Sequence, residues 1–356
     1  MRNYIAVFLV KRPLALALLL AVSASCSAQS SASCGSQTGP PKPAACRDTT
    51  PHTEKCVTVD KGVQLQVLDW GGADKPETMV LLTGLGDNAH VYDRFAYQFT
   101  DYFHVIGITR RGFPPSSQPK EGYDVDTRAR DDIEVLKVLG ISKAVFVGHS
   151  IAGSELSKIG LSFKDYVDKL VYLDANDLSR NVQGPKLPLP PYKEGRDERS
   201  LQVYQAAQAR LENKLEPDQA VCLRMQFDAK GAITDTTLLG WVSAKISEGV
   251  KEPANSPTDW ADIRAPRLGI FNLPSVQARM PFYWYLSSED KKKFDENWPA
   301  FVGWNGDTID QFAAVYPGKP TPIVYRLPDA PHYFYMTDQA FVVRAMREFL
   351  LGKEGP

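Results

Sequence analysis

"VFVGHSIAGSEL", Val145 to Leu156, is the stretch that decides how the chain is read. An apolar run ends at Gly148, helical patterning begins at Ile151, and Ser150 stands between them with small residues at 148 and 152. A serine on a sharp strand-to-helix turn has its hydroxyl exposed at the top of a sheet, where it can attack a ligand. The usual spacing puts glycine two residues after that serine; here Ala152 takes the place and Gly153 follows one step late. Alanine is still small enough to let the helix pass close to its strand. A serine here can also be an ordinary helix N-cap. The strong strand pattern before it and helical pattern after it favour the nucleophile turn.

Outward from this point the chain alternates. "TMVLLTG", "HVIGITRRG", "AVFVGHS", "KLVYLDAN", "RLGIFNL" and "TPIVYRLP" are apolar runs of strand length, and "CVTVDKGVQLQVLDW" reads as two strands joined at Lys61 and Gly62. Helical patterns fall at 90–102, 124–139 and 151–162, and Phe341, Val342, Ala345, Met346, Phe349 and Leu350 form a last apolar stripe before a stop at Gly352. Such alternation predicts an α/β fold, a mostly parallel sheet with helices on both faces. The core spans 56–177 and 263–356, and the irregular stretch 178–262, which contains "LPLPPY", is an insertion over the carboxyl edge of the sheet.

The N-terminus reads as an export signal. Arg2, Lys11 and Arg12 flank and precede "PLALALLLAV", and small residues follow. Residues 1–28 are assigned to this signal, with cleavage near Ala24 or Ala28, or before Cys26 with a lipid on that cysteine; the leucine usual three places before a lipidated cysteine is missing. Residues 29–55, rich in Ser, Pro and Thr, form a tether. The expected location is exported: periplasmic, anchored to the outer membrane or secreted. Five cysteines suit an oxidising compartment, and a Cys46–Cys56 bridge is expected. With 41 basic against 42 acidic residues the net charge is −1, which offers nucleic acid no electrostatic footprint. Membrane contact is expected only through a lipid on Cys26.

Ligands of open α/β sheets bind beyond the carboxyl ends of the strands. Ser150 lies there, and a serine nucleophile needs a base. Among five histidines, His52 falls in the tether, His104 opens a strand, His149 sits inside the turn with its side chain expected to face away from the serine, and His90 could line the pocket. His332 follows the last strand and gives the order serine then histidine. The carboxylate that orients such an imidazole usually follows the next-to-last strand, but none occurs from Arg267 to Glu289. "VYLDAND" offers Asp174, directly at a strand end, with Asp177 as the fallback. The N–H groups of Ile151 and of Leu85, in the glycine-flanked "TGLGD", are the expected oxyanion donors.

"LLTGLGDNAHVYDRFA", "GITRRGFPPSS" and "VFVGHSIAGSEL" together resemble the α/β-hydrolase superfamily, in particular bacterial serine hydrolases with a GHSIAG turn. The resemblance runs from about Cys56 to Leu351. It implies an eight-stranded sheet, a Ser–Asp–His triad, no cofactor and a lid after the sixth strand. On this resemblance Ser150 is the nucleophile, His332 the base, and Leu85 and Ile151 the oxyanion donors. Thr83 and Pro114 depart from the family pattern, as does the missing carboxylate after "RLGIFNL"; some lipases of the superfamily take their acid after the sixth strand, which "YLDAN" resembles. A serine at 150 also argues against dehalogenase and epoxide-hydrolase chemistry, which use a carboxylate nucleophile. The expected activity is hydrolysis of a small acyl substrate, most simply a carboxylic ester. A peptidase, thioesterase or carbon–carbon hydrolase would use the same groups, and an inert binding protein would keep only the fold.

Overall fold

Strand β1 (Thr53–Asp60) turns back into β2 (Val63–Gly71), and β3 (Thr78–Leu82), β4 (His104–Thr109), β5 (Ala144–His149), β6 (Val167–Leu173), β7 (Arg267–Leu273) and β8 (Ile323–Pro328) follow in the computed structural model. The structure describes residues 50–85, 87–113, 115–175, 259–273 and 286–352, together with positions 185, 187, 226–227, 233–235, 249–250, 275 and 283. The expected signal, residues 29–49 of the expected tether, Cys46 of the expected bridge, most of the 178–262 insertion, and Asp177 lie outside these residues; the last three residues assigned to the tether, 53–55, instead open β1.

The eight strands form one sheet in the order β1-β2-β4-β3-β5-β6-β7-β8. The pairs β1·β2 and β2·β4 are antiparallel and all others parallel. Each expected apolar run became a strand of this sheet. Successive residues of the central strands point to opposite faces, so both faces need apolar cover. Met79, Leu81, Val145 and Val147 join a cluster with Phe95, Phe99, Val342 and Met346 on one side. Val80, Leu82, Ala144 and Phe146 join Ile133, Leu156, Ile159 and Phe312 on the other.

The helices follow from the same pattern. Helix α1 (Val125–Val138) starts where the Asp124 carboxylate accepts the Thr127 N–H at 2.9 Å. Helix α2 (Ala152–Ser162) follows β5. The last helix, α4 (Gln339–Leu351), ends at Gly352 as expected. The pattern expected over 90–102 is shorter: a turn of 3-10 helix at Ala89–Tyr92 and one α-turn at Asp93–Ala96. One long element was not anticipated. Helix α3 (Ser288–Ala313) carries Pro299 inside it, opens on a Ser287 cap, and packs Ile309 and Phe312 against the sheet. Its Asn305 amide donates to the Asn272 carbonyl at 3.2 Å, level with the carboxyl end of β7. The seventeen residues before that point lie outside the cluster that packs on the sheet.

Candidate active site

Among the described residues, three non-glycine residues have left-handed backbones: Ser150 (φ 56), Asp174 (φ 45) and Asp329 (φ 54). Each is the first residue past a parallel strand, at the carboxyl edge. Each also completes the ladder before the chain turns: Ser150 N–H donates to Leu173 O (3.2 Å), Asp174 N–H to Ile270 O (2.8 Å) and Asp329 N–H to Leu273 O (3.1 Å). A left-handed non-glycine residue costs of order 1–3 kcal/mol and persists only where its surroundings hold it.

At Ser150 the surroundings are tight. A Cβ on Gly148 would stand 3.0 Å from the Ala152 Cβ and 2.9 Å from Leu156 Cδ1, so small residues at 148 and 152 are a steric requirement of the turn. The N-cap position of α2 is Ile151, and no side chain caps that helix. Ser150, half-buried, is thus not the ordinary capping serine. Its carbonyl accepts the Gly153 N–H at 3.1 Å. Because a trans peptide directs its C=O and N–H oppositely, this bond aims the Ile151 N–H away from the helix.

The imidazole and the carboxylate meet. His332 Nδ1 lies 2.5 Å from Asp174 Oδ2, across 158 residues of sequence. Both side chains are buried, 5% and 7% exposed, so water competes little for the contact. The other Asp174 oxygen accepts the backbone N–H of Asn272 at 3.2 Å. The strand that lacks a carboxylate therefore supplies a donor that fixes its neighbour's. With Nδ1–H donated to Asp174, the His332 Nε2 carries the lone pair, the tautomer a general base requires.

Leu85 and Ile151, 66 positions apart in number, share one buried cluster with Phe113, Tyr123 and Val250. Among the described residues, neither N–H takes part in the backbone bonding of the turns and loops. The structure places Leu85, Ile151, Asp174 and His332 at the same edge of the sheet as Ser150. His90, which could line the pocket, places Nδ1 at 3.2 Å from Asp93 on its own turn. His104 pairs with Asp69 at 3.0 Å.

His149 was undervalued. It is fully buried, its ring lies 4.4 Å from that of His332, and its Nε2 bonds the His332 carbonyl at 3.0 Å. On the other side, a Cβ on Gly84 would stand 2.8 Å from both His149 Nδ1 and Asp87 Oδ2. Asp87 in turn accepts from the Tyr333 hydroxyl at 3.2 Å. His149 is therefore wedged between the loop of Leu85 and the loop of His332. Only its place beside the serine hinted at this in the sequence.

Charge is concentrated beneath the site. Arg110, Arg128, Asp132 and Glu155 are all buried. Burial pushes the Glu155 carboxyl up, but the Arg110 and Arg128 guanidiniums outweigh it and hold it below its ordinary range. At Asp132 the same two guanidiniums are outweighed: burial, then the charges of Glu155 and Asp131, push it well above the usual carboxylate range. Among the described residues no group of His, Cys, Asp and Glu is arranged to hold a metal ion.

A model of the alpha/beta hydrolase family matches residues 79–345, three quarters of the chain. The chain belongs to the alpha/beta hydrolase family. An Acinetobacter calcoaceticus relative named bifunctional esterase/perhydrolase is 32% identical over 121 residues, covering 33% of this chain and 44% of the relative. An uncharacterized Mycobacterium bovis protein is 28% identical over 104 residues, 29% of this chain and 30% of its own. The matched segment thus spans less than half of these relatives' length. The solved structure of a probable hydrolytic enzyme from Pseudomonas aeruginosa superposes with a TM-score of 0.57 at 16% identity, covering 85% of this chain and 95% of that one. That likeness is one of fold.

Proposed function

We propose that this alpha/beta hydrolase is an exported serine hydrolase that cleaves carboxylic esters through an acyl-enzyme. The single observation that carries the reading is the buried contact between His332 Nδ1 and Asp174 Oδ2 at 2.5 Å, on the same sheet edge as a serine held at φ 56. Ser150 Oγ attacks the ester carbonyl while His332 Nε2 takes its proton. The oxyanion receives the N–H groups of Leu85 and Ile151. His332, now charged and stabilised by Asp174, returns the proton to the leaving alkoxide. A water then repeats the sequence on the acyl-enzyme and frees Ser150. No cofactor enters any step.

An ester as substrate is supported by the esterase named among the relatives. Relatives named epoxide hydrolases also match the chain, but that chemistry uses a carboxylate where this chain has Ser150. Export is supported by the signal pattern in residues 1–28, and the 178–262 insertion is read as a lid over the pocket. The test is turnover of p-nitrophenyl esters of graded chain length by protein lacking residues 1–28. Wild type should turn over at least one of them, and Ser150→Ala and His332→Gln should each lose at least about 10³-fold in kcat. Ester turnover that survives Ser150→Ala would overturn the proposal.

A further inference from the structure

Arg110 is the first residue after β4 and is 4% exposed. Its planar fork is fully engaged with the Thr83–Gly84 loop and with helix α2. Nη1 donates to the Gly84 carbonyl at 2.8 Å and Nη2 to the Thr83 carbonyl at 2.6 Å. Nε and Nη2 also donate to the two oxygens of Glu155, at 3.2 and 2.7 Å. Glu155 lies in the first turn of α2, the helix that Ser150 and Ile151 introduce, and is itself 1% exposed. The adjacent Arg111 does something different: it pairs with Asp131 at 2.5 Å.

The Gly84 carbonyl and the Leu85 N–H belong to one planar peptide and point in opposite directions. A guanidinium that holds the carbonyl from one side therefore aims the N–H out of the other. It also polarises the amide, which strengthens the N–H as a donor. We propose that Arg110 is a positioning residue that sets the direction and spacing of the two oxyanion donors, by tying the Gly84–Leu85 peptide to the nucleophile's helix through Glu155. The proposal rests on the serine-hydrolase reading above. A lysine has the charge to face Glu155 but lacks the planar fork needed to hold two carbonyls and a carboxylate at once.

The experiment compares wild type, Arg110→Lys and Glu155→Gln for kcat, KM, melting temperature and affinity for a trifluoromethyl ketone, which forms an oxyanion adduct with an active serine. Lys158→Met is the control for a merely structural pair: Lys158, buried on the same helix, binds Asp126. Removing one oxyanion donor typically costs about 10²–10³ in kcat. Arg110→Lys is expected to lower kcat about 100-fold with KM within threefold, and to weaken the ketone by a similar factor. Glu155→Gln, which keeps shape and leaves the arginine in place, should show the same split at about tenfold. Lys158→Met should lower the melting temperature without weakening the ketone relative to substrate. If Arg110→Lys does not fold, Glu155→Gln alone decides. Should the folded variants lose thermal stability yet keep kcat and ketone affinity within threefold, the clamp has no role in positioning. A wild type that neither turns over esters nor binds the ketone would instead sink the hydrolase reading.

Discussion

Replacing Asp174 with asparagine keeps the side chain's size and removes one charge. In the folded protein Asp174 accepts from His332 Nδ1 at 2.5 Å and from Asn272 N–H at 3.2 Å. Both side chains are under a tenth exposed, so solvent screens the pair weakly. When His332 becomes imidazolium, two unit charges about 4 Å apart at an effective dielectric constant of about 20 attract by about 4 kcal/mol. At about 1.4 kcal/mol per tenfold in rate, that alone is about 10³ in kcat. Asparagine adds a second penalty. Its amide oxygen can satisfy either the Asn272 N–H or His332 Nδ1–H, and an NH₂ turned toward the ring favours the tautomer with the proton on Nε2. The same substitution in a serine-protease triad costs about 10⁴ in kcat. Asp174→Asn should therefore lower kcat by 10³ to 10⁴ (roughly, on those principles) with KM within a few-fold. The assay is initial-rate hydrolysis of the best p-nitrophenyl ester, with a circular-dichroism melt to check folding. Asp177→Asn is the comparison and should stay near wild type. A folded Asp174→Asn that kept a tenth of wild-type kcat, or an Asp177→Asn that lost more, would refute the reasoning.

Further outcomes can be measured on the same footing. Ser150→Gly should be inactive yet more stable than Ser150→Ala by about 1 kcal/mol in denaturant melts, because glycine adopts φ 56 without strain. Gly148→Ala places a Cβ 2.9–3.0 Å from Leu156 and Ala152; overpacking should cost about 1–3 kcal/mol and depress the melting temperature. His149→Phe keeps an aromatic ring against His332 but leaves the His332 carbonyl without its 3.0 Å donor. It should destabilise by about 1–3 kcal/mol and lower kcat more than it raises KM.

The sheet was legible because its strands are buried on both faces, which writes continuous apolar runs such as "MVLL" and "VFVG". Helix α3 was not, because Pro299, Gly303 and Gly306 break its pattern and its exposed half lies outside the cluster that packs on the sheet. Ser150 and His332 stood out through chain order and strand ends. Asp174 could be proposed only by default, since what selects it is spatial: the Asn272 backbone N–H from the next strand. His149 and Arg110 were passed over for a related reason. Each acts by bonding a carbonyl in a distant loop, and a backbone carbonyl leaves no mark in sequence.

The most direct test of the central claim, that residue 150 is the nucleophile, is peptide mass spectrometry after treatment with a fluorophosphonate. One phosphonyl group per chain, on the peptide that carries Ser150 and absent after His332→Gln, is the predicted result. An unmodified protein that still hydrolyses esters, or an adduct mapped to any other residue, would contradict it.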